Sequence, residues 1–155
     1  MADGRWPIGA INRPSAQENG TTFRLGYRYR LGMEGYQALH AWRLASRLCL
    51  GVLEATDEPQ PPPAWTVVDQ LRRAAVSVDV NLVEGYALGT VPLFRRHARI
   101  ALGSAAETQR LLAIAAKRGY LPADVTSPLL ALADRTVACL VGLLRSKNLV
   151  TGNNR

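Results

Sequence analysis

The side chains equipped for chemistry fall on two polar lines. One is Gln70, Arg73, Ser77, Asn81 and Glu84; the other is Arg96, Arg99, Gly103, Glu107 and Arg110. Steps of three and four residues place each line on one face of a helix. Taken singly, Arg73, Glu84, Arg96 and Glu107 carry the charges that phosphate binding or proton transfer requires. Taken together they suggest something else. A turn near residue 90 folds the two segments so that facing positions sum to about 180. Glu84 then meets Arg96, Asn81 meets Arg99, Ser77 meets Gly103, Arg73 meets Glu107 and Gln70 meets Arg110. Unlike charges face each other twice, and like charges never do. The favoured reading is a structural polar seam of Arg73, Ser77, Asn81, Glu84, Arg96 and Glu107 that fixes helix register or a subunit contact. Gly103 sits where the helices would approach closely.

The rest of the sequence adds no catalytic constellation. His40 and His97 lie on different helices with no Cys, Asp or Glu at ligand spacing, so no metal site is expected. There is no inward Glu-x-x-His pair of the di-iron type, no glycine-rich phosphate loop and no nucleophile elbow. Glu84-Gly85 places a carboxylate at a possible helix irregularity, but it lacks a base partner. The expectation is a protein that is not an enzyme, with no catalytic residue, cofactor or small-molecule substrate.

The elements that must position these residues are helical. Ala and Leu are abundant and aromatics few, which favours helices over a sandwich of strands. A first helix is predicted over 34–55, with Leu39, Trp42, Ala45, Leu48, Cys49 and Val52 as its apolar stripe. Asp57 to Pro63 reads as a stiff, non-helical linker. A second helix over 65–88 turns Val67, Leu71, Ala74, Val78 and Leu82 inward. Gly89 and Thr90 turn the chain, and Pro92 suits the first turn of a third helix over 92–118, whose stripe is Phe94, Ala98, Ala101, Leu102, Ala105 and Leu112. Gly119 is its natural C-cap. Asp124 or Ser127 caps a fourth helix that reaches about 147, with Leu129, Leu132, Ala133, Thr136, Leu140 and Leu143 inward. Residues 33–147 therefore read as an all-α, antiparallel up-and-down four-helix bundle in one domain. Residues 1–32, punctuated by Gly and Pro, read as an extended or disordered extension; residues 148–155 form a flexible tail. Met33, just before the first helix, is an alternative start for the chain. No run of 18 apolar residues is present, so no membrane span is expected. Cys49 and Cys139 read as small buried residues in a reducing cytoplasm.

Charge then points to partners. The chain has 19 Lys and Arg against 12 Asp and Glu, and all but Lys117 and Lys147 of the cations are Arg, the side chain suited to phosphates. Residues 1–32 hold five Arg against two acids; the remainder holds 14 basic and 10 acidic residues and is mildly basic. In the first segment Arg24, Tyr27, Arg28, Tyr29 and Arg30 interleave cations with rings, a pattern able to stack on single-stranded nucleic acid. In the bundle the cations outside the seam, Arg43, Arg47, Arg72, Arg95, Lys117, Arg118, Arg145 and Lys147, join Arg99 as candidates for phosphate contact; a solvated face is the competing reading. Apolar residues outside the stripes, Leu44, Leu50, Ile100, Leu111, Ile114, Leu130 and Val137, suit burial against another subunit. Two functions follow: an accessory module binding RNA or a ribonucleoprotein, or an interaction oligomer whose partner is a protein.

One resemblance sharpens this. Leu71-Arg72-Arg73-Ala74-Ala75-Val76-Ser77-Val78, then Asn81 and Glu84-Gly85, resembles the signature of the bacterial four helix bundle protein family, also called the rRNA intervening-sequence protein family. Phe94, Ile100-Ala101-Leu102-Gly103-Ser104, Glu107 and Gly119-Tyr120-Leu121 form a second matching block. The likeness covers about residues 33–147. It implies a small bundle that assembles as a ring-like homopentamer, with distant similarity to the accessory protein of diversity-generating retroelements, a basic barrel that binds reverse transcriptase and nucleic acid. The family usually has Pro soon after the Ser-Val pair. Here Asp79 and Val80 stand there, which predicts a straighter second helix.

Overall fold

The computed structural model describes residues 35–146. The extension over 1–32, its Arg-Tyr cluster, Lys147 and the tail over 148–155 lie outside the described residues. Helix α1 spans His40–Ala55, α2 Trp65–Ala87, α3 Val91–Lys117 and α4 Ala123–Arg145, and no strand occurs among the described residues. Sequential helices pack as neighbours, and α4 closes on α1. This is an all-α up-and-down four-helix bundle.

Local chemistry explains the ends. The helix α1 stops at Thr56, whose hydroxyl turns back to donate to Val52 O at 2.7 Å. The linker is not wholly irregular: Pro62–Ala64 forms one 3-10 turn leading into α2, because proline's fixed φ suits a first helical turn. Between α2 and α3, Gly89 takes φ +71°, and the Thr90 hydroxyl accepts the Leu93 N–H at 3.4 Å. Gly119, at φ +67°, ends α3. The amides of Gly119 and Tyr120 reach back to the carbonyls of Ala116 and Ala115 at 3.0 and 2.8 Å, the paired bonds of a Schellman cap. Two expectations shift. The first helix starts at His40 instead of 34. The fourth starts at Ala123 with Pro122 as N-cap and no capping side chain. Asp124 instead sits in the first turn, where its charge suits the helix dipole.

The core has two layers. At the end where α1 finishes, Leu48, Val52, Leu71, Leu112, Leu121 and Leu129 interdigitate. At the end where α1 begins, Ala41, Ala45, Ala98, Ala101 and Ala105 surround Val78, Leu82 and Leu140. The alanine-rich layer lets backbones approach, and the branched layer fills volume. Buried Thr108, Thr126 and Thr136 satisfy their hydroxyls on carbonyls one turn back. The α2 helix runs unbroken through Asp79 and Val80, as the absence of proline predicts. Among the described helices, α4 alone is long and apolar enough by composition to cross a bilayer, although it contains no unbroken run of 18 apolar residues. Here its Leu129, Ala133, Thr136 and Leu140 are packed into the bundle.

Candidate nucleic-acid interface

The join of α2 and α3 is polar and antiparallel with facing positions near the expected sum, but its partners differ from those read off the sequence. Gln70 Nε2 donates to Glu107 Oε1 at 2.6 Å. The hydroxyls of Ser77 and Ser104 lie 2.9 Å apart. Asn81 Nδ2 donates to the Ser77 carbonyl at 2.9 Å, and Asn81 Oδ1 lies 3.1 Å from His97 Nδ1. Glu84 Oε2 is 3.5 Å from the same ring nitrogen. His97 thus stands where Arg96 and Arg99 were expected, and Ser104 where Gly103 was. Arg73 does not meet Glu107. It pairs with Asp69 one turn away and donates to Gln70 Oε1 at 2.7 Å, so Gln70 relays it to Glu107.

The reason is rotational phase. Phe94, Ala98, Ala101, Ala105, Thr108 and Leu112 are buried and fix which way α3 points. His97 and Ser104, seven residues apart, flank that line on the α2 side. Arg96, Arg99, Gly103 and Arg110 fall roughly opposite the buried line and are exposed, since each residue turns a helix by about 100°. A Cβ built on Gly103 meets nothing within 4 Å, so Gly103 is no close approach. Gly85 is one: a Cβ there would lie 2.7 Å from His97 Cβ and 3.3 Å from Phe94 Cα.

The expected phosphate-contact residues divide into tied and free. Arg72 donates to Thr56 O and Oγ1, both at 2.9 Å, and reaches Asp57 at 3.5 Å. Arg95 donates to the carbonyls of Leu144 and Ser146 at 3.0 and 2.9 Å, closing the C-terminal end of α4. Arg118 lies over the Tyr120 ring, 5.7 Å from its centroid. Arg43 and Arg47 on α1, Arg96 and Arg99 on α3, and Lys117 are exposed, and among the described residues none has an acidic partner. Toward the end where α3 begins lie Arg43, Arg95, Arg96, Arg99 and Arg145, with Glu84 and the half-buried Asp79 as the acids on that part of α2. At the other end the carboxylates Glu54, Asp57, Glu58, Asp69 and Asp124 interleave with Arg72, Arg73, Lys117 and Arg118. The folded bundle is therefore electrically polarised.

Residues 37–142 match the family described as 23S rRNA-intervening sequence protein. The chain belongs to that family. The match takes in the α2–α3 join and the exposed α3 arginines. A crystal structure from Bacteroides thetaiotaomicron, described as a protein with unknown function from the S23 ribosomal protein family, has the same fold with a TM-score of 0.53. It is 16% identical, and the alignment covers 68% of this chain and 95% of that one. No curated protein matches.

Between α1 and α2 the bundle holds a polar pair that spacing did not reveal. The Trp42 indole N–H and Asp79 Oδ1 are both buried without a hydrogen bond of normal geometry. Burial pushes the Asp79 carboxyl above its ordinary range, and the neighbouring indole only partly opposes this. Cys49 is buried and Cys139 half-buried, and both are free thiols. Burial raises both, and at Cys49 the Asp79 charge adds to the effect. Of the apolar residues expected on a second face, Leu44 is instead core at 3% exposure, because it shares the buried line with Leu48. Leu50 and Ile100 are exposed, and Leu111, Ile114, Leu130 and Val137 are half-buried.

Proposed function

We propose that this chain is a non-catalytic, self-associating helical bundle that binds RNA through the arginine-rich end where α3 begins. The RNA is engaged alone or within a ribonucleoprotein, a reverse-transcriptase complex included. One observation carries the reading: Arg96 and Arg99 point to solvent with no acidic partner among the described residues, at an end where cations outnumber carboxylates. Such arginines keep their donors for phosphate oxygens. Membership in the 23S rRNA-intervening sequence family supports an RNA connection. Self-association strengthens it, because five copies of residues 33–155, each with net charge +4, present a field of about +20.

The test is anisotropy with a structured RNA between roughly 50 and 200 mM salt. Affinity should fall steeply with salt. The double variant Arg96→Glu, Arg99→Glu should bind at least about tenfold more weakly, with a salt slope shallower by about two. Both sites are exposed, so thermal stability should hold. Affinity independent of salt, or unchanged in the variant, overturns the reading.

A second reading is an interaction oligomer with no nucleic-acid role. It is favoured by the exposure of Leu50, Trp65, Val76, Val80 and Ile100, more apolar surface than scattered single residues explain. Light scattering that shows an oligomer, together with no RNA binding at low salt, would select it.

A further inference from the structure

A groove of about 500 Å³ runs between α1 and α4, away from the end where α3 begins. Leu50, Pro128, Leu129 and Leu132 make it apolar. Leu50 is 63% exposed. Gly51 keeps the floor low, since a Cβ there would lie 2.7 Å from Leu129 Cδ2. The groove also holds Arg47, Arg135 and Glu54, and the register of the two helices fixes their order. Gly51 faces Leu129, and α1 and α4 run antiparallel. Arg135, about 9 Å along α4 from Leu129, therefore stands level with the stretch of α1 between Arg43 and Arg47, whereas Glu54 lies about 10 Å beyond Arg47. Steps of four, three and four put Arg43, Arg47, Leu50 and Glu54 on one side of α1.

The groove is thus cationic at one end, apolar in the middle and acidic at the other end. Arg43, Arg47 and Arg135 are exposed, and none has an acidic partner among the described residues. Glu54 is exposed and has no ion pair among them either. Of the other acids on α4, Asp134 accepts from Gln109 on α3, and Asp124 sits in the first turn, beyond Glu54.

A nucleotide has the same sequence of properties. Its phosphate is anionic, its base has two apolar faces, and the edge of cytosine or adenine carries an amino donor. Guanidinium groups suit the phosphate, aliphatic side chains suit the base faces, and a carboxylate suits the amino group. We propose that the α1–α4 groove seats one unpaired nucleotide of a single-stranded RNA, with its phosphate on Arg47 and Arg135, its base on Leu50 and Leu132, and its amino edge at Glu54. Arg43, about 6 Å from Arg47 along the helix, offers a third guanidinium to the neighbouring phosphate, which a free nucleotide lacks. Unpaired strands are read in this way, by splayed bases and their Watson–Crick edges. Here the arginines supply most of the affinity and Glu54 supplies the choice of base. This rests on the RNA reading and deepens it, adding a side-face contact and a preference among bases.

The test is anisotropy of the full chain with short oligocytidylate and oligouridylate of equal length at one low salt concentration. Cytosine presents an amino donor where uracil presents a carbonyl oxygen, which Glu54 repels. The parent should therefore bind oligocytidylate about threefold or more tighter than oligouridylate. Glu54→Gln should bind both about equally, because an amide donates as well as accepts. Arg47→Glu with Arg135→Glu should weaken both by about tenfold and make the salt slope shallower by about two. All three positions are exposed, so melting temperature should stay near that of the parent, which is checked first. A parent that binds no RNA overturns the RNA reading and this seat with it. A parent that binds RNA through Arg96 and Arg99 but treats the two oligonucleotides alike, keeps its preference in Glu54→Gln, or keeps its affinity in the arginine pair, overturns this seat alone. Groove variants that bind RNA as the parent does but change mass in light scattering would assign the groove to a second copy of the chain, which also overturns it.

Discussion

At the scale of single residues, burial of the Asp79 carboxyl works against the folded state. Its carboxyl is partly buried between α1 and α2, and its contact with the neighbouring Trp42 N–H lacks normal hydrogen-bond geometry, so the indole offsets only part of the burial. The folded state holds its proton more tightly than the unfolded chain does. The sign follows directly. Below the ordinary value of 3.8 both states are protonated and nothing is lost. As pH rises through the interval between that value and the raised one, ionisation is easier unfolded than folded, and stability falls. Above the interval the full penalty is present. Asp79→Asn removes it, so the variant should be more stable at pH 7 by about 1 kcal/mol, since the side chain keeps part of its hydration. The advantage should vanish near pH 3. Urea denaturation at the two pH values checks this, and equal stability at pH 7 would show that the carboxylate is well solvated.

At the scale of elements, the α2–α3 pair is held by packing and by neutral hydrogen bonds more than by ion pairs. Arg73 reaches Asp69 on its own helix, and both are largely exposed. Such a pair contributes about 0.3–0.5 kcal/mol. Asn81 links Ser77 to His97 across the join. Its removal leaves half-buried donors and acceptors without partners, at about 1–3 kcal/mol. In urea denaturation Arg73→Ala should therefore cost at most about 0.5 kcal/mol and Asn81→Ala about 1–3 kcal/mol. The opposite order would restore the charged seam that the sequence spacing suggested. Gly85 belongs to the same join, because only a missing side chain lets the α3 backbone at Phe94 come so near.

At the scale of the whole molecule, antiparallel topology sorts charge. It brings the start of α3 and the end of α4 to one end, and the end of α1 and the start of α2 to the other. The first end is rich in arginine, and the second mixes the two signs. Reversing charge at the two ends should therefore have unequal effects. Arg96→Glu with Arg99→Glu should weaken RNA binding by about tenfold or more, whereas Lys117→Glu with Arg118→Glu should weaken it less than about threefold at equal salt. Equal losses would mean that RNA senses only total charge.

Pattern along the chain was enough for the helices, because burial has a period that can be counted. Leu48, Leu71, Phe94, Leu112 and Leu140 are core residues where the 3.6-residue period placed them, and Gly89 and Gly119 make the turns that only a positive φ allows. The antiparallel register of α2 and α3 was legible too, since a tight turn near residue 90 leaves little choice. The rotational phase of α3 was legible as well: the apolar stripe Phe94, Ala98, Ala101, Ala105 and Leu112 is the buried line, and at about 100° per residue it sets Arg96, Arg99 and Gly103 on the solvent side. Pairing polar positions by their sum alone ignored that phase. Which flanking side chains meet α2, His97 and Ser104, was decided by the packing of the two helices. For the same reason the pairing of Trp42 with Asp79, and the position of Leu50 over a groove, were decided only when α1 met α2 and α4, because contacts between distant segments leave no period in the sequence.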